Sequence, residues 1–79
     1  MNDQERRKII GYRVMMLRGE RTQKEVAKAI DISEGQLRHI ESGRNGSNDM
    51  VKKRMAKYFR VSLVALFFTF DKPFRLPNK

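Results

Sequence analysis

The 79-residue sequence contains no cysteine and only one histidine, His39. Disulfide bonds, zinc knuckles, iron-sulfur clusters and thiol nucleophiles are therefore excluded, and an imidazole-rich metal site is not expected. No apolar run approaches the ~18 to 20 residues that cross a bilayer, and the amino-terminal segment lacks the apolar stretch of a secretory signal. These absences predict a soluble, cytoplasmic protein without a cofactor and without a membrane partner.

The sequence also lacks the residue sets that carry catalysis. It shows no acid-base pair, no nucleophile constellation and no glycine loop that would cradle a phosphate. We therefore expect a binding protein rather than an enzyme. The length allows one small domain, whose core is marginal unless packing is very regular or a second subunit contributes.

Proline is scarce, and both prolines, Pro73 and Pro77, lie near the carboxyl end. Everything before them is free to be helical. Ile10, Val14 and Leu17 have the spacing of an amphipathic helix, predicted over about 3–18 and ended by a glycine. No internal repeat or low-complexity segment interrupts the chain.

Two capping boxes follow close together. Their residue pairs are Thr22 with Glu25 and Ser33 with Gln36. In a capping box, each side chain of the pair satisfies an exposed backbone N–H of the other residue. The pattern predicts one helix over about 23–30 and a second that ends near 42–43, with about three residues between the two helices.

Two further helices and an arm are predicted after this pair. The polar segment 44–49 should form a loop that caps a fourth helix, with Val51, Met55 and Phe59 facing the core. A short fifth helix should start at Ser62. The remaining chain alternates weakly between apolar and polar residues, which predicts an extended arm or a short hairpin.

The excess of basic residues favours a polyanionic partner, because the net charge is +9. Two capped helices joined by a short turn have the geometry of a helix-turn-helix, whose second helix enters the major groove of DNA. The positions that this unit should direct inward are all apolar: Val26, Ala27, Ile30, Ile32, Leu37 and Ile40.

The segments IGYRVMMLR, TQKEVAKAI, ISEGQLRHIESG and MAKYFRVSLVALF, within about residues 10–68, resemble the lambda-repressor-like, Xre/Cro-type helix-turn-helix regulators of bacteria and phages. The resemblance implies an all-α fold: a five-helix DNA-binding domain over 1–68, with its helix-turn-helix at about 23–42, and a C-terminal arm over 69–79. It also implies double-stranded DNA as the partner, a homodimer and, most simply, a repressor that occupies an inverted-repeat operator.

Site residues can be carried over position by position. The resemblance and hydrogen-bonding chemistry give a set expected to read bases: Glu34, Gly35, Gln36, Arg38 and His39. A second set is expected to contact phosphates: Thr22, Gln23, Ser33, Arg44, Asn45 and Lys52. A third is expected to form the dimer: Leu63, Leu66, Phe67, Phe68 and Phe70. The family pattern also implies a salt bridge between Arg18 and Glu41.

The sequence departs from the family pattern in three places. Asp31 occupies the turn position commonly filled by glycine, and Asp enters the left-handed region more readily than most residues. The connection between the first two helices is about two residues shorter, and the loop over 44–49 is about one residue longer and lacks proline. The exact phosphate contacts of that loop are therefore left open.

Two other functions remain open at this point. An antitoxin could use the same fold to repress its own operon and hold a toxin with its C-terminal arm, although this arm is short for that task. A basic RNA-binding or protein-binding module is the second alternative. Residues 20–43 carry a net charge of −1 and residues 44–60 carry +5, so the helix-turn-helix itself is almost neutral. The flanking segments would then provide salt-sensitive contacts to DNA phosphates, and a nearly neutral helix would distinguish the base sequence.

Overall fold

A computed structural model of the protein describes residues 1–77. Its five helices are α1 (Asp3–Arg18), α2 (Gln23–Ala29), α3 (Glu34–Glu41), α4 (Asp49–Phe59) and α5 (Leu63–Phe67). Residues 1–77 contain no strand, and the prediction of an all-α, five-helix fold is confirmed. No helix in this part of the chain is both long and apolar enough to cross a membrane. The end of the expected arm, residues 78–79, lies outside the described residues.

Every helix begins with a polar N-cap whose side chain accepts a backbone N–H three residues later. The caps are Asn2, Thr22, Ser33, Asn48 and Ser62. The expected capping boxes at Thr22 and Ser33 are only half formed, because the partner side chains of Glu25 and Gln36 are exposed and can bond water instead. Within residues 1–77, both halves of a capping box form at Asn2 and Glu5.

Three helices end in the same left-handed turn. Asp31 after α2, Gly43 after α3 and Arg60 after α4 have φ values of 61°, 78° and 59°. After α2, the N–H of Ile32 donates to Ala27 O at 3.0 Å and that of Asp31 to Lys28 O at 3.3 Å, which is the bond pair of a Schellman motif. The expectation that Asp31 takes the left-handed conformation is confirmed. This turn sets the angle between α2 and α3.

The apolar side of each helix packs into one hydrophobic core. Its buried residues include Val14, Leu17, Val26, Ala27, Ile30, Leu37, Ile40, Val51, Met55, Phe59, Leu66 and Phe67. Helix α1 packs on α3 and α5, α2 packs on α3, and α4 packs on α5. Five of the six inward positions predicted for the helix-turn-helix are buried, and the sixth, Ile32, is half-buried against the core.

Helix α1 approaches the end of α3 unusually closely at Gly11, which is buried. A Cβ at this position would lie 2.4 Å from the carbonyl oxygens of both Ile40 and Glu41. Both atoms belong to the backbone, so no side-chain rotation could relieve the overlap. Gly11 therefore sets the distance between α1 and α3.

Arg13 joins α1 to the C-terminal part of the chain. Its side chain is buried, and Nη1 donates to the carbonyl oxygens of Ala65 at 3.0 Å and Leu66 at 3.1 Å. The guanidinium lies 5.2 Å from the ring centroid of Phe70 and 5.0 Å from that of Phe74. Desolvation by burial lowers the pKa of Arg13 from its ordinary value. The arm is therefore held against α1 and, within residues 1–77, forms no hairpin.

Candidate nucleic-acid interface

The outer face of α3 carries the residues predicted to read bases. Leu37 and Ile40 turn inward and are 0% and 2% exposed. On the opposite side, Glu34, Gln36 and Arg38 are exposed. One helix thus presents hydrogen-bonding groups to solvent while its other side anchors it in the core. This arrangement is required of a helix that enters a DNA groove.

The chemistry of this face suits base edges. Gln36 can pair with adenine through its amide, and the fork of Arg38 matches guanine. A Cβ at Gly35 would meet only the guanidinium of Arg38, at 3.5 Å, so the glycine leaves open space on the surface. His39 is half-buried, and its Nδ1 lies 3.5 Å from the side-chain nitrogen of Asn45. His39 is therefore partly engaged by the following loop.

A buried carboxylate connects three helices behind this face. Glu41 accepts two bonds from Arg18, from Nε at 2.7 Å and from Nη2 at 3.0 Å, and a third from Gln23 Nε2 at 3.0 Å. The Arg18–Glu41 salt bridge implied by the family pattern is confirmed. The side chain of Glu41 is 5% exposed. The bonds to Glu41 outweigh partial burial and raise the pKa of Arg18 above its ordinary value.

The same network determines the position of Gln23, a residue expected to contact phosphate. Gln23 is the first residue of α2 and is half-buried. One N–H of its side-chain amide donates to Glu41. Because the amide oxygen can only accept, the second N–H of the NH₂ group is the side-chain donor available to a phosphate. Glu41 therefore orients Gln23 relative to α3.

The hydroxyl groups of Thr22 and Ser33 are primarily N-caps. Each accepts a backbone N–H at 3.0 Å, from Glu25 and Gln36 respectively. A hydroxyl that accepts such a bond keeps its own proton for another partner. Both residues are exposed at the starts of the two helices. Capping and phosphate contact are thus compatible at both positions.

The loop after α3 provides the expected basic flank. Arg44 and Asn45 are exposed, whereas Lys52 is half-buried. The ammonium of Lys52 donates to Ser47 O and lies 5.7 Å from the ring centroid of Phe67. Lys52 therefore also supports the loop, in addition to the phosphate contact expected of it.

Arg21 is a structural residue that sequence reasoning missed. Its guanidinium donates to Leu17 O at 2.6 Å and Arg18 O at 3.1 Å, so it satisfies the last carbonyls of α1. It also lies 5.1 Å from the ring centroid of Tyr58 and 5.4 Å from that of Phe59. The predicted core placement of Phe59 is confirmed, and Tyr58 is half-buried against the core. A basic residue three positions after the end of a helix was the available signal.

Two of the five residues expected to form a dimer are buried within the protomer. Leu66 and Phe67 are 0% and 3% exposed, because the protomer uses them in its own core, and this part of the expected surface needs correction. Phe68 is 57% exposed, and Leu63 and Phe70 are half-buried. Val64, four residues before Phe68, is 58% exposed and was not predicted.

Comparison with known protein families identifies the fold. The model of a helix-turn-helix family, HTH_3, matches residues 14–66, which include α2, α3, their turn and the network around Glu41. No curated protein and no solved structure gives a significant match. Because the match spans more than half of the chain and the structure has five helices in the expected order, the chain belongs to the Xre and lambda-repressor-like helix-turn-helix family and forms a DNA-binding domain of a transcriptional regulator.

Proposed function

We propose that the protein is a sequence-specific repressor that binds an inverted-repeat operator as a homodimer. The observation that carries the proposal is the division of α3 into a buried side and an exposed polar side bearing Gln36 and Arg38. The exposed side is formed by a helix anchored on α1 and α2, so its side chains are presented from a rigid support.

Charge supports separate roles for the reading helix and its flanks. Residues 20–43 have a net charge of −1, whereas 44–60 have +5. Contacts to phosphates provide affinity regardless of sequence, while contacts to base edges distinguish one sequence from another. In this proposal α3 distinguishes one DNA sequence from another, and the loop with Arg44 and Asn45 contacts the phosphate backbone of the DNA.

Selection of bound duplexes from a random library tests the proposal. We expect an inverted repeat whose half-sites are centred about one helical turn apart, ~34 Å, because a two-fold dimer presents two copies of α3. Recovery of unrelated sequences with equal affinities would contradict sequence-specific binding. Recovery of a single, non-repeated site would contradict the symmetric dimer.

Substitutions separate base reading from phosphate contact. Gln36→Ala or Arg38→Ala should lose about 1 to 3 kcal/mol on the selected site and little on random DNA. Arg44→Ala should weaken both about equally and reduce the slope of affinity against salt by about one unit. Loss of discrimination in Arg44→Ala alone would show that α3 is not the reading helix.

The proposed dimer uses the exposed apolar residues of α5 and the chain after it. Val64 and Phe68 are four residues apart and both are more than half exposed, so the end of α5 offers apolar surface to a second copy. Sedimentation should show a dimer at tens of micromolar, and Phe68→Ala should shift it toward monomer. A monomer at that concentration that is unchanged by the substitution would contradict this surface.

A further inference from the structure

We propose that a cavity between the start of α1, the loop after α3 and the end of α5 binds a small organic anion with an aromatic or acyl body. The cavity has a volume of about 560 Å³, within the ~300–1,000 Å³ range of small-molecule sites. It is distinct from the outer face of α3, none of whose predicted base-reading residues lines it.

Positive charge on the cavity wall selects an anion. Arg6, Arg7 and Lys52 line it, against a single carboxylate, that of Asp3. Asp3 and Arg6 form an exposed pair at 3.3 Å on adjacent turns of α1, which compensates one of the three cations. Two positive charges remain, and a carboxylate, sulfonate or phosphate group would be attracted to them.

Arg7 has the least complete set of partners of the three. Its Nε is buried, and no hydrogen-bond acceptor for it is found within residues 1–77. A buried donor without an acceptor destabilises the folded protein, and a guanidinium loses part of its hydration as well. An anion held in the cavity beside this side chain would compensate the charge of the guanidinium.

The remainder of the wall is apolar, which distinguishes the expected ligand from an inorganic ion. Ile10, Phe67, Phe68 and Phe70 line the cavity together with Ile40. Phe70 also lies 6.0 Å from the guanidinium of Arg6, so an aromatic surface adjoins the charged group. A ligand with an anionic end and an aromatic or acyl body would satisfy both parts of the wall.

The position of the cavity connects it to DNA binding, and this step rests on the proposed function. Asn45 and Lys52 line the cavity and also belong to the set expected to contact phosphates. A bound anion would neutralise the positive charge of Lys52 and repel a nearby phosphate of the DNA. Occupation of the cavity should therefore weaken DNA binding, which would give this domain a direct response to a metabolite.

Two fluorescent probes with nearly the same ring system test the cavity in the absence of DNA. 8-Anilinonaphthalene-1-sulfonate carries a sulfonate, whereas N-phenyl-1-naphthylamine is uncharged. We expect one sulfonate probe per chain, bound about ten-fold more tightly than the uncharged probe, since a charged hydrogen bond provides this difference. Inorganic phosphate at the same concentration should not displace it.

Substitutions locate the binding. Arg6→Gln, at an exposed position, lowers the net charge of the wall from +2 to +1 and leaves the Asp3 carboxylate unpaired, so it should weaken the sulfonate probe about ten-fold and leave the uncharged probe unchanged. Lys28→Gln provides the control, because Lys28 is exposed on α2 and does not line the cavity. Equal affinity for the two probes, several probes per chain, or sulfonate binding that Arg6→Gln leaves unchanged would overturn the proposal.

Competition tests the connection to DNA separately. Saturating sulfonate probe should reduce the affinity of the protein for its selected duplex about ten-fold, and the reduction should be smaller in Arg6→Gln. Unchanged DNA affinity would refute the connection. If the protein selects no duplex, the proposed repressor function fails, while the probe titrations still decide whether the cavity binds anions.

Discussion

Replacing Gly11 by alanine should destabilise the protein, although the same change inside a helix is normally favourable. Alanine exceeds glycine in helix propensity by about 0.5 to 1 kcal/mol. At Gly11 the added Cβ would lie 2.4 Å from two backbone carbonyl oxygens at the end of α3. Carbon and carbonyl oxygen normally meet at ~3.3 Å or more, so α1 and α3 would have to separate by about 1 Å.

The cost of that separation can be bounded. Overpacking in a well-packed core costs typically 1 to 3 kcal/mol, and the upper half of that range applies because backbone atoms cannot rotate away. After the gain in helix propensity, we expect a net loss of about 1 to 2 kcal/mol. For a domain of this size the melting temperature should fall by roughly 5 to 15 °C.

Urea denaturation followed by circular dichroism at one protein concentration measures this difference. Gly35→Ala is a matched control, because it lies in the first turn of α3 and its Cβ would meet only the guanidinium of Arg38 at 3.5 Å. That variant should be as stable as the parent or up to about 1 kcal/mol more stable. A Gly11→Ala protein that is no less stable than the parent would refute the close approach of α1 to α3.

Three other substitutions test separate parts of the fold. Glu41→Ala should lower the free energy of unfolding by about 2 to 3 kcal/mol, because it removes three hydrogen bonds and leaves the charge of Arg18 unpaired. Urea denaturation measures this difference, and a loss below about 0.5 kcal/mol would contradict the role of the network. Arg13→Met should release the arm and speed tryptic cleavage after Arg75 by about ten-fold, whereas an unchanged cleavage rate would show that the arm does not depend on Arg13. Arg60→Gly should stabilise the protein by about 0.5 to 1 kcal/mol, since Arg60 has a φ of 59°; a destabilised variant would contradict the left-handed turn.

Much of the fold could be predicted because its signals are local. The N-caps Thr22 and Ser33 lie within four residues of the N–H groups that they satisfy, and the spacing of Val51, Met55 and Phe59 belongs to a single helix. The left-handed turn at Asp31 was likewise expected from its place between two helices. Such features depend on a few adjacent residues, so the sequence alone contains the information.

The features that were missed depend on distant partners. Arg13 reads as a basic residue on an amphipathic helix, and its burial follows only from carbonyl groups 52 and 53 residues away. Leu66 and Phe67 were expected at a dimer surface, because the apolar residues near the carboxyl end exceed what a short helix needs. The structure places both in the core, where α1 and α4 supply the contacts that a sequence pattern cannot reveal.

The exposed residues of the candidate interface could be predicted more completely than the hydrogen bonds that position them. The exposed positions Gln36 and Arg38 follow from the helical period once Leu37 and Ile40 are assigned to the core. The bond from Gln23 to Glu41 was not predicted, because it depends on the angle between α2 and α3. Helical periodicity identifies which side of a helix is exposed, but it does not give the distance to a neighbouring helix.

The pairing of Arg13 with the carbonyl groups of Ala65 and Leu66 also constrains when the domain can finish folding. During synthesis Arg13 leaves the ribosome more than fifty residues before its acceptors do. At the usual rate of about 5 to 20 residues per second, its guanidinium must remain hydrated for seconds before it can be buried. The bonds that fix α1 to α5 therefore form after α5 has emerged, whereas α1 can already pack on α3 before then.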